Sequence, residues 1–314
     1  ANHMLEASSN PLVIGWSSTG RYFAVRTHNF NIPQHDWIFS APNFTMQQFD
    51  PPFNEIGETD YRTKSFAWSH AADRLVILFG NSLLLVDPAH SHIALTPIPP
   101  LPTSNNMGYR YNYIVWSPND RYVAIVSHDD MFSGDPDQNQ LYVVDTQDSI
   151  LHTVRSFTYR VELLGNFLPD PMLFWSNDNA LQYLESPNET DNPRGAFQLT
   201  QLDVETGQHT PIYAQVLNYH FDPDNIGLLH QQGDQQAVDR FTNGQWVDLF
   251  SANGETIEQI NWLPNLVMLT IVDSKTDRRS LHIINHDGQY YTSPTGTYLI
   301  KTLTTADYIG VFVR

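Results

Sequence analysis

Residues 114–125 read Ile114-Val115-Trp116-Ser117-Pro118-Asn119-Asp120-Arg121-Tyr122-Val123-Ala124-Ile125. An apolar run ends on Trp-Ser, a tight turn follows, and a second apolar run leads away. Ser-Pro-Asn-Asp is turn chemistry: Ser can cap, Pro sets φ, and Asn and Asp tolerate the left-handed region. The pattern recurs as Ile14-Gly15-Trp16-Ser17-Ser18-Thr19-Gly20-Arg21-Tyr22-Phe23-Ala24-Val25. It recurs again as Phe66-Ala67-Trp68-Ser69 before Asp73-Arg74-Leu75-Val76, and as Leu173-Phe174-Trp175-Ser176-Asn177-Asp178-Asn179-Ala180-Leu181. Weaker copies sit at His220-Phe221-Asp222-Pro223-Asp224-Asn225 and Asn261-Trp262-Leu263-Pro264-Asn265.

The aromatic anchors are therefore residues 16, 68, 116, 175, 221 and 262, spaced by 52, 48, 59, 46 and 41. Such a unit has room for four short strands. A second signal lies inside several units: apolar strands ending on Asp87, Asp145, Asp203 and Asn285, the first three followed by a turn and a further short strand. Leu75 to Val86 is the most apolar run, and Gly80-Asn81-Ser82 divides it as a hairpin. Runs of β-branched and aromatic residues between Gly, Pro, Asn, Asp and Ser predict antiparallel strands. No sustained 3.6-residue stripe appears, so helix content is predicted to be very low. Sheets of this kind leave open edges unless they pack radially around a channel, with the Trp rings filling space between neighbours.

The Trp-Ser-Pro-Asn-Asp-Arg-Tyr of 116–122, with its weaker copies, resembles the repeat of TolB-type β-propellers, relatives of the WD-repeat. The resemblance covers about residues 14–290. Asn119-Asp120 stands where the family has Asp-Gly. It implies an all-β fold: a single β-propeller of four-stranded blades over 5–314, six blades expected, with seven as the alternative. The tail strands near 298–303 and 308–313 either finish the sixth blade or form a seventh with residues 9–13. Ala1-Asn2-His3-Met4 reads as a vector remnant. The repeat motif is structural, so the resemblance implies no catalytic residue. It favours an extracytoplasmic location.

Composition narrows the function. Sixteen basic residues against 34 acidic ones leave a net charge of −18, with no basic patch. That opposes nucleic-acid binding and membrane-surface binding, and no apolar run is long enough for a spanning helix. Cysteine is absent, which excludes disulfides, thiolate metal sites and a Cys nucleophile. There is no Gly-x-Ser-x-Gly, His-Glu-x-x-His, P-loop or Gly-x-Gly-x-x-Gly. Propellers of this type also gate prolyl-oligopeptidase-like hydrolases, whose chemistry needs a further α/β domain. Enzyme activity stays open, with the motifs pointing away from it, and no cofactor is expected.

Asp135, Asp137 and Asn139 have the spacing that opens a calcium loop, but Gln140 replaces the following Gly and Thr146 the closing Glu. The segment reads better as a solvated hairpin loop, and no metal site is expected. The histidines are dispersed; His90 and His92 have no third ligand. Acidic residues crowd two loops, Asp129, Asp130, Asp135 and Asp137 in one and Glu185, Glu189 and Asp191 in the other.

In an up-and-down blade the second-to-third turns and the blade-to-blade connections share a face. The long segments 40–65, 97–112, 127–140, 155–172 and 184–196 are of that kind. Function concentrates in loops on a rigid scaffold, which places a ligand surface at Tyr109, Arg110, Tyr111, His128, Asp129, Asp130 and Arg160. The expectation is a non-catalytic binding or scaffold propeller for a protein, peptide or glycan partner, neutral or cationic in view of the charge. The alternative is a propeller-type lyase or hydrolase with a metal at the channel mouth.

Overall fold

The computed structural model describes residues 10–29, 32–41, 43, 45–49, 66–79, 82–89, 92–97, 112–128, 138–148, 150–158, 173–185, 197–222, 225–263, 266–285, 288–292, 303–305 and 308–310. Every regular element among them is a strand. The chain divides into two compact units, 1–182 with 202–209, and 183–201 with 210–314.

β1 (Asn10–Trp16), β2 (Tyr22–Asn29), β3 (Ile32–Ser40) and β4 (Thr45–Phe49) form the first antiparallel sheet, in chain order. β5 (Phe66–Trp68), β6 (Leu75–Phe79), β7 (Ser82–Asp87) and β8 (His92–Pro97) form the second. β9 (Asn112–Trp116), β10 (Tyr122–His128), β11 (Gln138–Asp145) and β12 (Ile150–Thr158) form the third. Each predicted Trp ends the first strand of its sheet, and each predicted Asp ends the third.

The next two predicted blades are one seven-stranded sheet: β13 (Leu173–Trp175), β14 (Ala180–Glu185), β15 (Phe197–Asp203), β16 (Gln208–Asp222), β17 (Asn225–Gln232), β18 (Gln235–Thr242) and β19 (Gln245–Ala252). The join is β16, a strand of 15 residues with β15 on one side and β17 on the other. Its sequence has no Gly or Pro-rich connection to break it; a bulge between Val216 and Asn218 absorbs the change. β20 (Thr256–Leu263), β21 (Leu266–Asp273), β22 (Arg278–Asn285) and β23 (Tyr290–Thr292) form a further four-stranded sheet. The described tail strands do not finish that sheet, because β23 already does. Among the described residues, β24 (Leu303–Thr305) and β25 (Tyr308–Gly310) form a two-stranded sheet. The architecture is thus all-β with several open sheets.

Alternation explains the core. In the second sheet Leu75, Ile77, Leu84 and Val86 pack with Ala24 and Ile38 of the first. Val76 and Leu83, pointing the other way, pack with Ile114, Trp116, Val123, Ile125, Tyr142 and Val144 of the third. A sheet buried on both faces needs apolar residues at consecutive positions, which is why residues 75–79 read Leu-Val-Ile-Leu-Phe.

The Trp and the Ser of the motif recur in matching roles in several copies. Trp68 donates its indole N–H to the carbonyl of Gly15 at 3.1 Å, Trp116 to Ala67 at 2.9 Å, and Trp175 to Val115 at 3.2 Å. Each acceptor immediately precedes the Trp of the sheet before. Trp116 and Trp175 are buried as predicted; Trp68 is half-buried and Trp16 is half exposed. The Ser closes the turn. Ser17, Ser69 and Ser117 donate their backbone N–H to the carbonyls of Tyr22, Arg74 and Tyr122. Their hydroxyl oxygens accept the N–H of the same three residues. The strand-ending acids start Asx turns: Oδ1 of Asp87, Asp145 and Asp203 accepts the N–H two residues on.

Asp73 and Asp120 adopt φ of 51° and 56°, the region where Gly is usual. Gly20 holds the equivalent place in the first sheet, with φ 72°. The Asp73 carboxylate accepts from Thr19 Oγ1 at 2.5 Å and pairs with Arg21 at 2.5 Å. The Asp120 carboxylate accepts the backbone N–H of His70, Ala71 and Ala72. Both side chains bind the turn of the sheet before their own.

Candidate functional site

Of the sequence-predicted ligand residues, Tyr109, Arg110, Tyr111, Asp129, Asp130 and Arg160 lie outside the described residues, as do Asp135 and Asp137 of the calcium candidate. His128 is the last residue of β10, and its backbone pairs with Asn139 of β11. Most of the long segments also fall outside, although 40–65 contains β4. Glu185 is corrected. It is a buried carboxylate at the end of β14, not a loop charge. Its Oε1 accepts Thr200 Oγ1 at 2.6 Å and Gln198 Nε2 at 3.1 Å from β15, so neighbouring donors satisfy it in the interior.

Two clusters in the unit of 183–201 and 210–314 hold chemistry-bearing side chains. In the first, Tyr213 donates its hydroxyl to Asp239, which also faces His230 Nε2 at 3.2 Å. His230 and Asp239 are buried, and the Tyr213 and His230 rings lie 4.2 Å apart. Burial first, then the bond to Asp239, pushes the Tyr213 phenol far above its ordinary range. Tyr213 thus supplies a hydrogen bond to a buried acidic side chain.

The second cluster is a relay of hydrogen bonds. Ser280 and His282 are two apart on β22, so their side chains share a face. Ser280 Oγ is 2.7 Å from His282 Nε2. β23 pairs Tyr290 with Ile284, which makes Tyr290 a diagonal neighbour of His282. The Tyr290 hydroxyl is 2.7 Å from His282 Nδ1. Phe250 of β19 stands edge-on to His282 at 5.4 Å and stacks on Tyr290 at 6.2 Å. His282 is buried, Ser280 half-buried and Tyr290 exposed. Burial lowers the His282 pKa below the ordinary 6.5, with the charge of Glu255 pulling the other way. The imidazole is thus neutral at pH 7, one nitrogen donating and the other accepting. A hydroxyl against a neutral imidazole, itself held by a third group, is the arrangement of an activated nucleophile. Among the described residues no group of three or more His, Asp or Glu could hold a metal. The signal the sequence offers is the alternation of positions 280 and 282 on the apolar strand that ends on Asn285.

No protein-family model matches the chain, and no curated protein matches it in sequence. Solved structures do. Porphyromonas gingivalis dipeptidyl peptidase 4 is similar over 98% of this chain and 49% of its own, with 11% identity and a TM-score of 0.54. Pyrococcus horikoshii acylaminoacyl peptidase is similar over 96% and 48%, with 9% identity and a TM-score of 0.47. An uncharacterized Listeria monocytogenes protein is similar over 92% and 83%, with 12% identity and a TM-score of 0.45. The chain spans about half the length of the two peptidases. The first likeness bears on the fold alone: it fits a propeller-like all-β fold. The expectation of a non-catalytic binding or scaffold module is corrected. The similar structure that carries the fold is that of a dipeptidyl peptidase, which is at odds with that expectation.

Proposed function

We propose that the chain is the propeller portion of a hydrolase of the peptidase type, in which the propeller controls the approach of a peptide to a nucleophile on another part of the protein. The observation that carries this reading is the likeness to dipeptidyl peptidase 4, which covers nearly all of this chain and about half of that one. In this proposal each four-stranded sheet is one blade, β13–β19 is two blades joined through β16, and six blades result. The β24–β25 hairpin is the candidate for a seventh, and the repeat is of the TolB type. The substrate is a neutral or cationic peptide, because a net charge of −18 repels anions. The residues proposed to meet it remain Tyr109, Arg110, Tyr111, His128, Asp129, Asp130 and Arg160. The metal-dependent form of the hydrolase reading has no donor cluster among the described residues to support it.

The test is hydrolysis of dipeptidyl- and N-acyl-aminoacyl-p-nitroanilides by the full-length protein as its gene encodes it. Release of p-nitroaniline, blocked by a fluorophosphonate, is expected. Peptide binding with no hydrolysis of either substrate class overturns the proposal.

A further inference from the structure

We propose that Ser280, His282 and Tyr290 form a second, independent acyl-transfer site on the propeller itself, one that takes small aryl esters. It does not rest on the peptidase reading, whose nucleophile lies elsewhere.

Three features converge. Geometry comes first: Ser280 Oγ to His282 Nε2 and His282 Nδ1 to Tyr290 are both 2.7 Å, inside the range for a poised nucleophile and base. Access is second. His282 is buried, whereas Ser280 is half-buried and Tyr290 and Tyr291 are 54% and 60% exposed, so the relay runs from the interior to an open rim. The third is the wall. Phe250 stacks on Tyr290 and presents its edge to His282, an aromatic surface suited to an aryl leaving group or a small apolar acyl group.

The productive tautomer has Nδ1–H donating to the Tyr290 oxygen and Nε2 accepting the Ser280 O–H. Ser280 Oγ attacks the ester carbonyl carbon and its proton moves to Nε2. The bond from carbon to the aryl oxygen breaks, and the leaving aryloxide takes that proton as the phenol. Water then attacks the acyl-serine, giving a proton to Nε2, which returns it to Ser280 as the carboxylic acid departs. Atoms and charge balance with water as the sole co-reactant. Tyr290 is a positioning residue here. Its hydroxyl stabilises an imidazolium less than the carboxylate of a Ser-His-Asp triad does; the more distant Glu255 adds a favourable charge. That weaker base selects esters with good leaving groups over amides.

The experiment uses the 314-residue chain with p-nitrophenyl acetate and a fluorophosphonate probe. Modification mapped by mass spectrometry to Ser280 of the folded wild-type chain is expected. So is esterase kcat/KM rising with pH through a midpoint below 6.5, and falling at least about a hundredfold in Ser280→Ala and His282→Gln. Tyr290→Phe should shift the midpoint and lower kcat with KM little changed. An unlabelled Ser280 in the folded wild type overturns the proposal without recourse to any variant, as does esterase activity equal in wild type and Ser280→Ala. Neither result bears on the peptidase reading, which is tested on amides with the full-length protein.

Discussion

The Asp120 carboxylate accepts the backbone N–H of Ala71 at 2.7 Å, although the two residues belong to different sheets and are 49 positions apart. His70 and Ala72 donate to the same carboxylate at 2.6 and 2.8 Å. A Gly at 120 would adopt the backbone angle more easily but would leave three turn amides without that acceptor. Asp120→Gly should therefore destabilise by about 2–3 kcal/mol despite relieving the backbone. Asp120→Ala should cost about 1 kcal/mol more, since it keeps the left-handed strain and loses the clasp as well. Urea denaturation of both variants checks this; equal stability of the Gly variant and wild type would show that the clasp is idle.

Trp116 is 2% exposed, and its N–H binds Ala67. Trp116→Ala removes the ring from between two sheets and should cost about 3–5 kcal/mol. The contrast is Trp16, half exposed at the start of the series, where the same change should cost under about 1 kcal/mol. Thermal melts of the two variants side by side make the comparison.

Gly227 faces the Trp262 ring so closely that an added Cβ would meet Cζ3 at 2.1 Å and Cη2 at 2.3 Å. Gly227→Ala should destabilise by about 1–3 kcal/mol through overpacking, since its φ is not in the left-handed region. In a Trp262→Ala background the same change should cost much less, and a double-mutant cycle measures the coupling. Additive costs would mean that the ring moves aside.

His282 gives a pH dependence with a definite sign. Burial lowers its folded pKa below the 6.5 of the unfolded chain, so below that pH the unfolded state binds more protons. The stability it contributes is complete above 6.5 and is lost as pH falls towards the folded value. Melting temperatures between pH 8 and pH 5 should fall less steeply in His282→Gln than in wild type. Parallel profiles would mean that the ring is already as protonated when folded as when unfolded.

Local signals carried the fold. Trp116-Ser117 and the terminal Asp145 each act within one hairpin or one neighbouring sheet, and both were legible as residue types at fixed places. The fusion through β16 was less so, because it depends on the lack of a break between Gln208 and Asp222, and weak repeats at His220-Phe221 masked it. The candidate site needed tertiary information. Ser280 and His282 share a strand face by simple alternation, but the partnership with Tyr290 depends on the β22–β23 register and on Phe250 from another sheet. Glu185 likewise looked like a loop charge until its cross-strand partners Thr200 and Gln198 were placed.

The indole ladder has a direction. Gly15, Ala67 and Val115 precede their donors by 53, 49 and 60 residues, so every acceptor is synthesised before the ring that needs it. A nascent chain emerging from the ribosome thus finds each landing place already built. Truncation from the two ends is correspondingly unequal. Removing the first sheet strands Trp68 without its carbonyl, whereas stopping synthesis after the third leaves every earlier bond of the ladder intact.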